Sequence, residues 1–140
     1  MFHYSHNLLT VQDAAPSAGS KYKNKRIGHK DHKVDMTCFS FGPVKNLGAI
    51  GGAGAITGSN KVCEQARIIK DHGRANRRRY DHNTLGWNRN IHTLQAAFLL
   101  AKLPYLDELN DRKREHAKHY NQRLHNVVNQ IPEELPNNHH

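Results

Sequence analysis

The sequence predicts an α/β layer fold, and three observations carry that prediction. Short β-favouring apolar runs are each closed by turn residues. Amphipathic helical patterns follow them. A loop at residues 42–54 holds five glycines and one proline, which marks a sharp change of element type. The chain has 140 residues, enough for one domain or part of one.

Each element follows from local chemistry. Residues 8–11 form a short apolar run ending at Asp13, which predicts a buried strand. Residues 14–35 are polar and lysine-rich, with Gly19 and Gly28, and read as loop or irregular edge structure. Residues 37–41 alternate and carry Phe39 and Phe41, a second strand. Residues 53–57 form a third. Ser59 or Asn60 can cap a helix running to about Lys70, with Val62, Ala66 and Ile69 on one face. Residues 71–90 are loop-like and basic. Residues 91–103 repeat Leu94, Ala97, Phe98 and Ala101 at helical spacing, which predicts a helix with that face in the core. Pro104 suits the first position of a second long helix carrying Leu106, Leu109, Ala117, Tyr120, Leu124 and Val127 to about Val128, ended by Pro132 and Pro136. No internal repeat is present. Three short strands are few for this architecture, so the expectation is a central piece of a longer protein: residues 1–128 as part of a large domain and 129–140 as the start of the next.

Composition excludes several function classes. The longest apolar run, residues 96–101, is too short to span a membrane, and no secretory signal pattern opens the chain. Cys38 and Cys63 are too few for a disulfide framework or a four-cysteine zinc site, and a reducing, cytoplasmic setting fits them. The twelve histidines lack metal-ligand spacing: His29 and His32 have no cysteine partner, and His116 and His119 have no glutamate in HExxH order, so no metal is expected. The net charge of +9 would suit a polyanion. The basic groups cluster at Lys21, Lys23, Lys25, Arg26, Lys30 and Lys33 and again at Arg74, Arg77, Arg78 and Arg79. No aromatic residues interleave with them and no nucleic-acid motif is present, so solvated loops are favoured over a nucleic-acid surface, and a phosphorylated small molecule is a third reading.

Three segments carry chemistry. Asp13 closes a strand, where a carboxylate needs a positive partner or serves as a turn cap. Lys45 follows a strand in the glycine-rich loop. There it is either a surface lysine or, beside apolar walls, an amine that forms a Schiff base with a carbonyl. Ser40 is an ordinary strand hydroxyl or, with loop amides, a phosphate ligand. Asn88, in the turn Gly86-Trp87-Asn88-Arg89, either caps the next helix or binds phosphate.

Taken in order, Asp13-Ala14-Ala15, Gly19, Lys21-Tyr22-Lys23, Cys38-Phe39-Ser40-Phe41, Lys45-Asn46-Leu47-Gly48, Asp71-His72-Gly73-Arg74, Gly86-Trp87-Asn88 and Leu94-Gln95-Ala96-Ala97 resemble the DegT/DnrJ/EryC1/StrS aminotransferases, from about Asn7 to His140. The resemblance implies the aspartate-aminotransferase-like fold (fold type I), with a long helix pair at the C-terminal end of this piece. It implies pyridoxal phosphate as cofactor and transamination of a nucleotide-linked keto-sugar by an amino-acid donor, glutamate in this family. By the same resemblance Lys45 holds the cofactor aldehyde and moves the proton between carbons. Asp13 pairs with the ring nitrogen, keeping the ring an electron sink. Ser40 binds phosphate, and Asn88 reaches the phosphate of a neighbouring subunit, which implies a homodimer. The arginines from Arg74 to Arg79 lie near where the family meets its nucleotide-sugar. A lysine at position 45 separates the chain from dehydratase relatives, which carry histidine there.

The pattern also breaks. Pro16 replaces a glutamine that contacts the ring, Gly51-Gly52-Ala53-Gly54 lacks the usual acid, and Asn90-Ile91-His92 replaces an arginine and an acid. The competing readings are a basic, non-catalytic binding protein and a decayed remnant without activity.

Overall fold

The computed structural model describes residues 8–76 and 80–139. Within them lie strands β1 (Val11–Asp13), β2 (Lys21–Tyr22), β3 (Lys25–Arg26), β4 (Met36–Ser40), β5 (Gly54–Gly58) and β6 (Asn138–His139), and helices α1 (Asn60–Lys70), α2 (Thr93–Lys102) and α3 (Leu106–Leu124). One sheet has the order β1-β4-β5 and a second the order β3-β2-β6. β1 runs parallel to β4, with Asp13 beside Cys38, and β5 runs antiparallel to β4, with Gly54 beside Ser40.

Strand alternation then decides which residues share a face. Gln12 and Thr37 are register partners, Thr37 is buried, and its hydroxyl donates to Gln12 Oε1 at 3.1 Å. The opposite face carries Val11, Asp13, Cys38 and Ser40. Val11 is 61% exposed, so β1 is not the buried strand its apolar run predicted. The inward side chain in β1 is the polar Gln12, and its one hydrophobic residue, Val11, faces outward.

The 14–35 stretch is also more ordered than its polarity suggested. β2 and β3 form a two-residue hairpin whose central residues, Lys23 and Asn24, have φ of 49° and 61°. Paired positive φ values match the twist of a tight hairpin, and asparagine tolerates them. The lysines hid the strands by removing any apolar alternation. A 3₁₀ turn, Lys30–His32, completes the connection to β4.

Ser59 caps α1 by accepting from Val62 N. α2 begins two residues later than expected, at Thr93, with the His92 side chain accepting from Leu94 N. Pro104 sits in a 3₁₀ turn, Leu103–Tyr105, that joins α2 end to end with α3. The long C-terminal helix α3 stops at Leu124, short of Val128. Asn126, Val127, Val128 and Asn129 are all weak helix formers.

The core is small: Ala18, Leu47, Ala49, Leu99 and Leu106, with Phe41 and Ala53 packed against it. The buried stripe of the helices runs through Leu99, Leu106 and Asn110. The face expected in the core is exposed, with Leu94 at 69% and Phe98 at 46%. α2 is apolar on more than one side, so periodicity alone could not pick the buried side. Tyr120, lower on α3, and Val127, beyond its end, are likewise exposed.

Candidate functional site

The site assembles where β1 and β4 end. After Asp13 the ladder continues one step, with Ala14 N donating to Cys38 O at 2.9 Å. The chain then turns, and Asp13 Oδ1 accepts from Ala15 N at 2.9 Å. The carboxylate thus helps fix its own turn and is exposed at the sheet end. Ser40 lies on the same face as Asp13. Its Oγ accepts from Gly42 N at 3.3 Å. Gly42 opens a turn closed by Lys45 N donating to Gly42 O at 2.9 Å, which brings the half-buried Lys45 back beside the strand end. A Cβ placed on Gly42 would lie 3.7 Å from Ser40 Oγ and 3.8 Å from Lys45 Cγ, with nothing else beyond its chain neighbours within 4 Å. The missing side chain therefore leaves a cradle between the hydroxyl and the lysine.

The loop is held from behind. Gly48 lies against backbone: a Cβ there would be 2.5 Å from Pro43 O and 2.7 Å from Gly42 O. Lys102 Nζ of α2 donates to Gly48 O at 2.7 Å, and Gln95 Oε1 accepts from Gly51 N at 2.7 Å. Ala49 N donates to Phe41 O at 2.9 Å, closing the loop on the end of β4. Asn46 Nδ2 donates to Pro16 O at 3.3 Å, and Asn46 Oδ1 accepts from Lys113 Nζ of α3 at 2.7 Å. Sequence reasoning gave no role to Asn46, Gln95, Lys102 or Lys113. Asn46 and Gln95 stood inside quoted motifs, and Gln95, Lys102 and Lys113 are polar residues on helices, where spacing signals nothing about a loop 44 to 67 residues away.

This donor set fits pyridoxal phosphate. A carboxylate can pair with a protonated ring nitrogen, a hydroxyl can meet a phosphate, and a primary amine can take an aldehyde. The Gly42 cradle gives the group room beside Ser40 and Lys45.

Asn88 is placed elsewhere. It bridges Asp71 at the C-terminal end of α1, between Trp87 N donating to Ile69 O at 2.8 Å and Arg89 N donating to Lys70 O at 2.8 Å. None of these contacts reaches the Lys45 loop. Asn88 does not cap α2 either, since His92 fills that position. Beside it, Arg74 Nη2 donates to Asp71 Oδ1 at 2.6 Å and Asn90 Nδ2 to the same oxygen at 2.8 Å. The Arg74 guanidinium, then the Asn90 amide, hold the Asp71 carboxyl below the usual carboxylate range. Glu64, Arg67, Lys70, Asp71, Arg74 and Asn90 line a polar cavity of about 630 Å³ there, of mixed charge. Arg77, Arg78 and Arg79 lie outside the described residues, as do Asn7 and His140. No group of three or more His, Cys, Asp or Glu side chains gathers as a metal site among the described residues. No helix among them is long and apolar enough to cross a membrane.

Comparison with known proteins gives a consistent picture. The chain is 38% identical, over 116 residues, to the dTDP-3-amino-3,4,6-trideoxy-alpha-D-glucose transaminase of Streptomyces venezuelae, covering 82% of this chain and 29% of that one. It is 35% identical over 139 residues to a pleiotropic regulatory protein of Geobacillus stearothermophilus, covering 96% of this chain and 36% of that one. The chain thus spans about a third of the length of the curated relatives it matches. Among solved structures it resembles S. venezuelae DesV in complex with a ketimine intermediate, with a TM-score of 0.87 and 33% identity over 98% of this chain and 36% of that one. A DegT DnrJ EryC1 StrS aminotransferase from Brucella abortus also gives 0.87, at 32% identity with the same coverage. These neighbours make the three-stranded sheet and its helices a piece of the fold type I architecture. A family model covers residues 2–140, and the chain belongs to the DegT/DnrJ/EryC1/StrS aminotransferase family, whose enzymes depend on pyridoxal phosphate.

Proposed function

We propose that this chain forms the central part of the cofactor domain of a transaminase acting on a nucleotide-linked keto-sugar, with an amino acid, glutamate by resemblance, as donor. The observation that supports this most is that Ser40 and Lys45 flank the bare Gly42 at the end of β4, while Asp13 closes the neighbouring strand β1 on the Ser40 face. Pyridoxal phosphate, when bound, supplies an electron sink that no side chain offers. Asp13 would hold a proton on the ring nitrogen by charge pairing. Ser40 would donate its hydroxyl hydrogen to a phosphate oxygen. Lys45 would hold the cofactor's aldehyde carbon through its Nζ and would move a proton between the two carbons of the substrate–cofactor adduct.

Asn88 is exposed and lies with the α1 end, apart from Lys45. We assign it to the phosphate site of a neighbouring subunit in a homodimer. The polar cavity next to it is lined by Arg67, Lys70 and Arg74 and also by the carboxylates of Glu64 and Asp71, the latter paired with Arg74, and the family resemblance would put the nucleotide there. Residues 1–128 belong to the cofactor domain and 129–140 lead out of it, with β6 laid against β2. The reduced Cys38 and Cys63 suit a cytoplasmic enzyme.

The test is to mix the purified chain with pyridoxal phosphate, reduce with borohydride and map the labelled lysine by mass spectrometry. Label concentrated on Lys45 is expected. Label spread over exposed lysines such as Lys61 and Lys118 would overturn the proposal and leave a basic binding protein or a remnant.

A further inference from the structure

We infer that Asn46 is a positioning residue that sets the distance between the Asp13 carboxylate and the Lys45 amine, and that Lys113 sets the direction of its amide. The inference rests on the cofactor reading above. Asp13 and Lys45 must grip two ends of one rigid aromatic ring, so their separation has little tolerance. The sheet alone does not set it. The β1–β4 ladder fixes Asp13 beside Cys38 as its last register pair, but Lys45 stands on a loop beyond the end of β4, and the chain turns away after Asp13. Something must tie turn to turn.

Asn46 is that tie. It follows Lys45 directly, and its Nδ2 donates to Pro16 O in the turn that Asp13 opens. The amide could face either way. Lys113 Nζ settles it, because an ammonium only donates and so must meet the amide oxygen. The nitrogen is thereby aimed at Pro16. Position 16 matters in its own right. Proline offers no polar side chain, but its carbonyl is an acceptor and its ring stiffens the turn. A backbone tie through Asn46 here links the Asp13 turn to the Lys45 loop. The tie also couples the site to α3, since Lys113 lies 67 residues from Asn46 in the chain.

The experiment measures borohydride-fixed pyridoxal phosphate on the full 140-residue chain, as the ratio of label at Lys45 to label at Lys61, across pH, with a thermal melt of each variant. Asn46→Asp keeps the acceptor for Lys113 and loses the tie, but it also adds a carboxylate beside Lys45, so the Lys113→Met variant, which adds no charge there, must show the same fall in ratio. Lys113→Met removes the orienting donor. Each variant is expected to lower the Lys45 ratio by about fivefold or more, the equilibrium worth of one ordinary hydrogen bond. The pH midpoint of labelling at Lys45 should move while that of Lys61 stays. A purely structural role would lower the melting temperature and leave ratio and midpoint of the folded fraction unchanged. Wild-type selectivity for Lys45 that persists in both variants would overturn the inference alone. Absence of that selectivity in the wild type would overturn the cofactor reading, and the inference with it. If Asn46→Asp does not fold, the Lys113→Met ratio decides.

Discussion

Gly48→Ala is the sharpest perturbation of the Lys45 loop. A Cβ at position 48 would stand 2.5 Å from Pro43 O and 2.7 Å from Gly42 O. Reaching the 3.4 Å of ordinary contact requires the Pro43 carbonyl to retreat by about 0.9 Å. Both obstacles are backbone, so no rotamer change relieves them. The retreat acts on the turn closed by Lys45 N to Gly42 O and loosens the Lys102 contact to Gly48 O. Overpacking of this kind costs about 1–3 kcal/mol, and one lost hydrogen bond adds about 1 kcal/mol. A total of about 2–4 kcal/mol corresponds to a fall in melting temperature of about 6–12 °C at this chain length. Gly52→Ala is the matched comparison. Gly52 has φ of 83° and nothing within 4 Å of its Cβ position, so its penalty is backbone strain alone, about 1–2 kcal/mol. It lies beyond the Ala49-to-Phe41 closure and should leave Lys45 in place. Thermal melts and borohydride labelling of both variants are the assay. Gly48→Ala should lose both stability and preference for Lys45, and Gly52→Ala should lose stability only. A Gly48→Ala chain that melts with the wild type and still labels Lys45 would refute the steric reasoning.

The other predictions concern the support of the site and its exposure. Leu106→Ala should cost about 2–4 kcal/mol in denaturant unfolding, since Leu106 belongs to the small core, while Leu103→Ala, 49% exposed, should cost under about 1 kcal/mol. Asp107 pairs with Arg26 Nη2 at 2.6 Å, and that hydrogen bond holds its carboxyl below the ordinary range. The stabilisation is therefore present above the unfolded carboxylate pKa, about 4, and is lost as pH falls through the lower folded value. Asp107→Asn should destabilise the chain at pH 7 by less than about 1 kcal/mol, because both partners are well exposed, and the difference from the wild type should shrink as pH falls below the unfolded carboxylate value. With Asp13 exposed and Lys45 only half-buried, water reaches the site. The 140-residue chain by itself should hold pyridoxal phosphate weakly and show little transamination of a keto-sugar nucleotide with glutamate. Robust turnover would sink that expectation.

The strands and helices of this chain were legible where a local signal existed. Ser59 announces α1 by its own hydroxyl, and the glycines after Phe41 announce the Lys45 loop. The hairpin at Lys23-Asn24 was not legible, because lysines occupy positions that β-patterning needs apolar. The buried side of α2 was not legible either, because its choice depends on where Leu47 and Ala49 sit, and that is a tertiary fact. Within the proposed site, Asp13, Ser40 and Lys45 come from the resemblance of the ordered motifs to the family, since each residue alone also has an ordinary structural reading. Their supports could not be read. Lys102, Lys113 and Gln95 act across 44 to 67 residues, and a polar helix residue carries no mark of the loop it will meet.

The departures from the family pattern become intelligible in the same terms. Pro16 lost a side-chain contact, yet its carbonyl receives the Asn46 amide. Asn90 stands where the family has a charged residue, and it joins Lys70 to Asp71, bracing the turn that carries Asn88. His92 stands where another does, and it caps α2, the helix whose Lys102 and Gln95 hold the Lys45 loop. Pro16, Asn90 and His92 thus each make a contact to a segment that bears a proposed site residue, and the Asn46→Asp ratio measures whether the Pro16 contact positions Lys45.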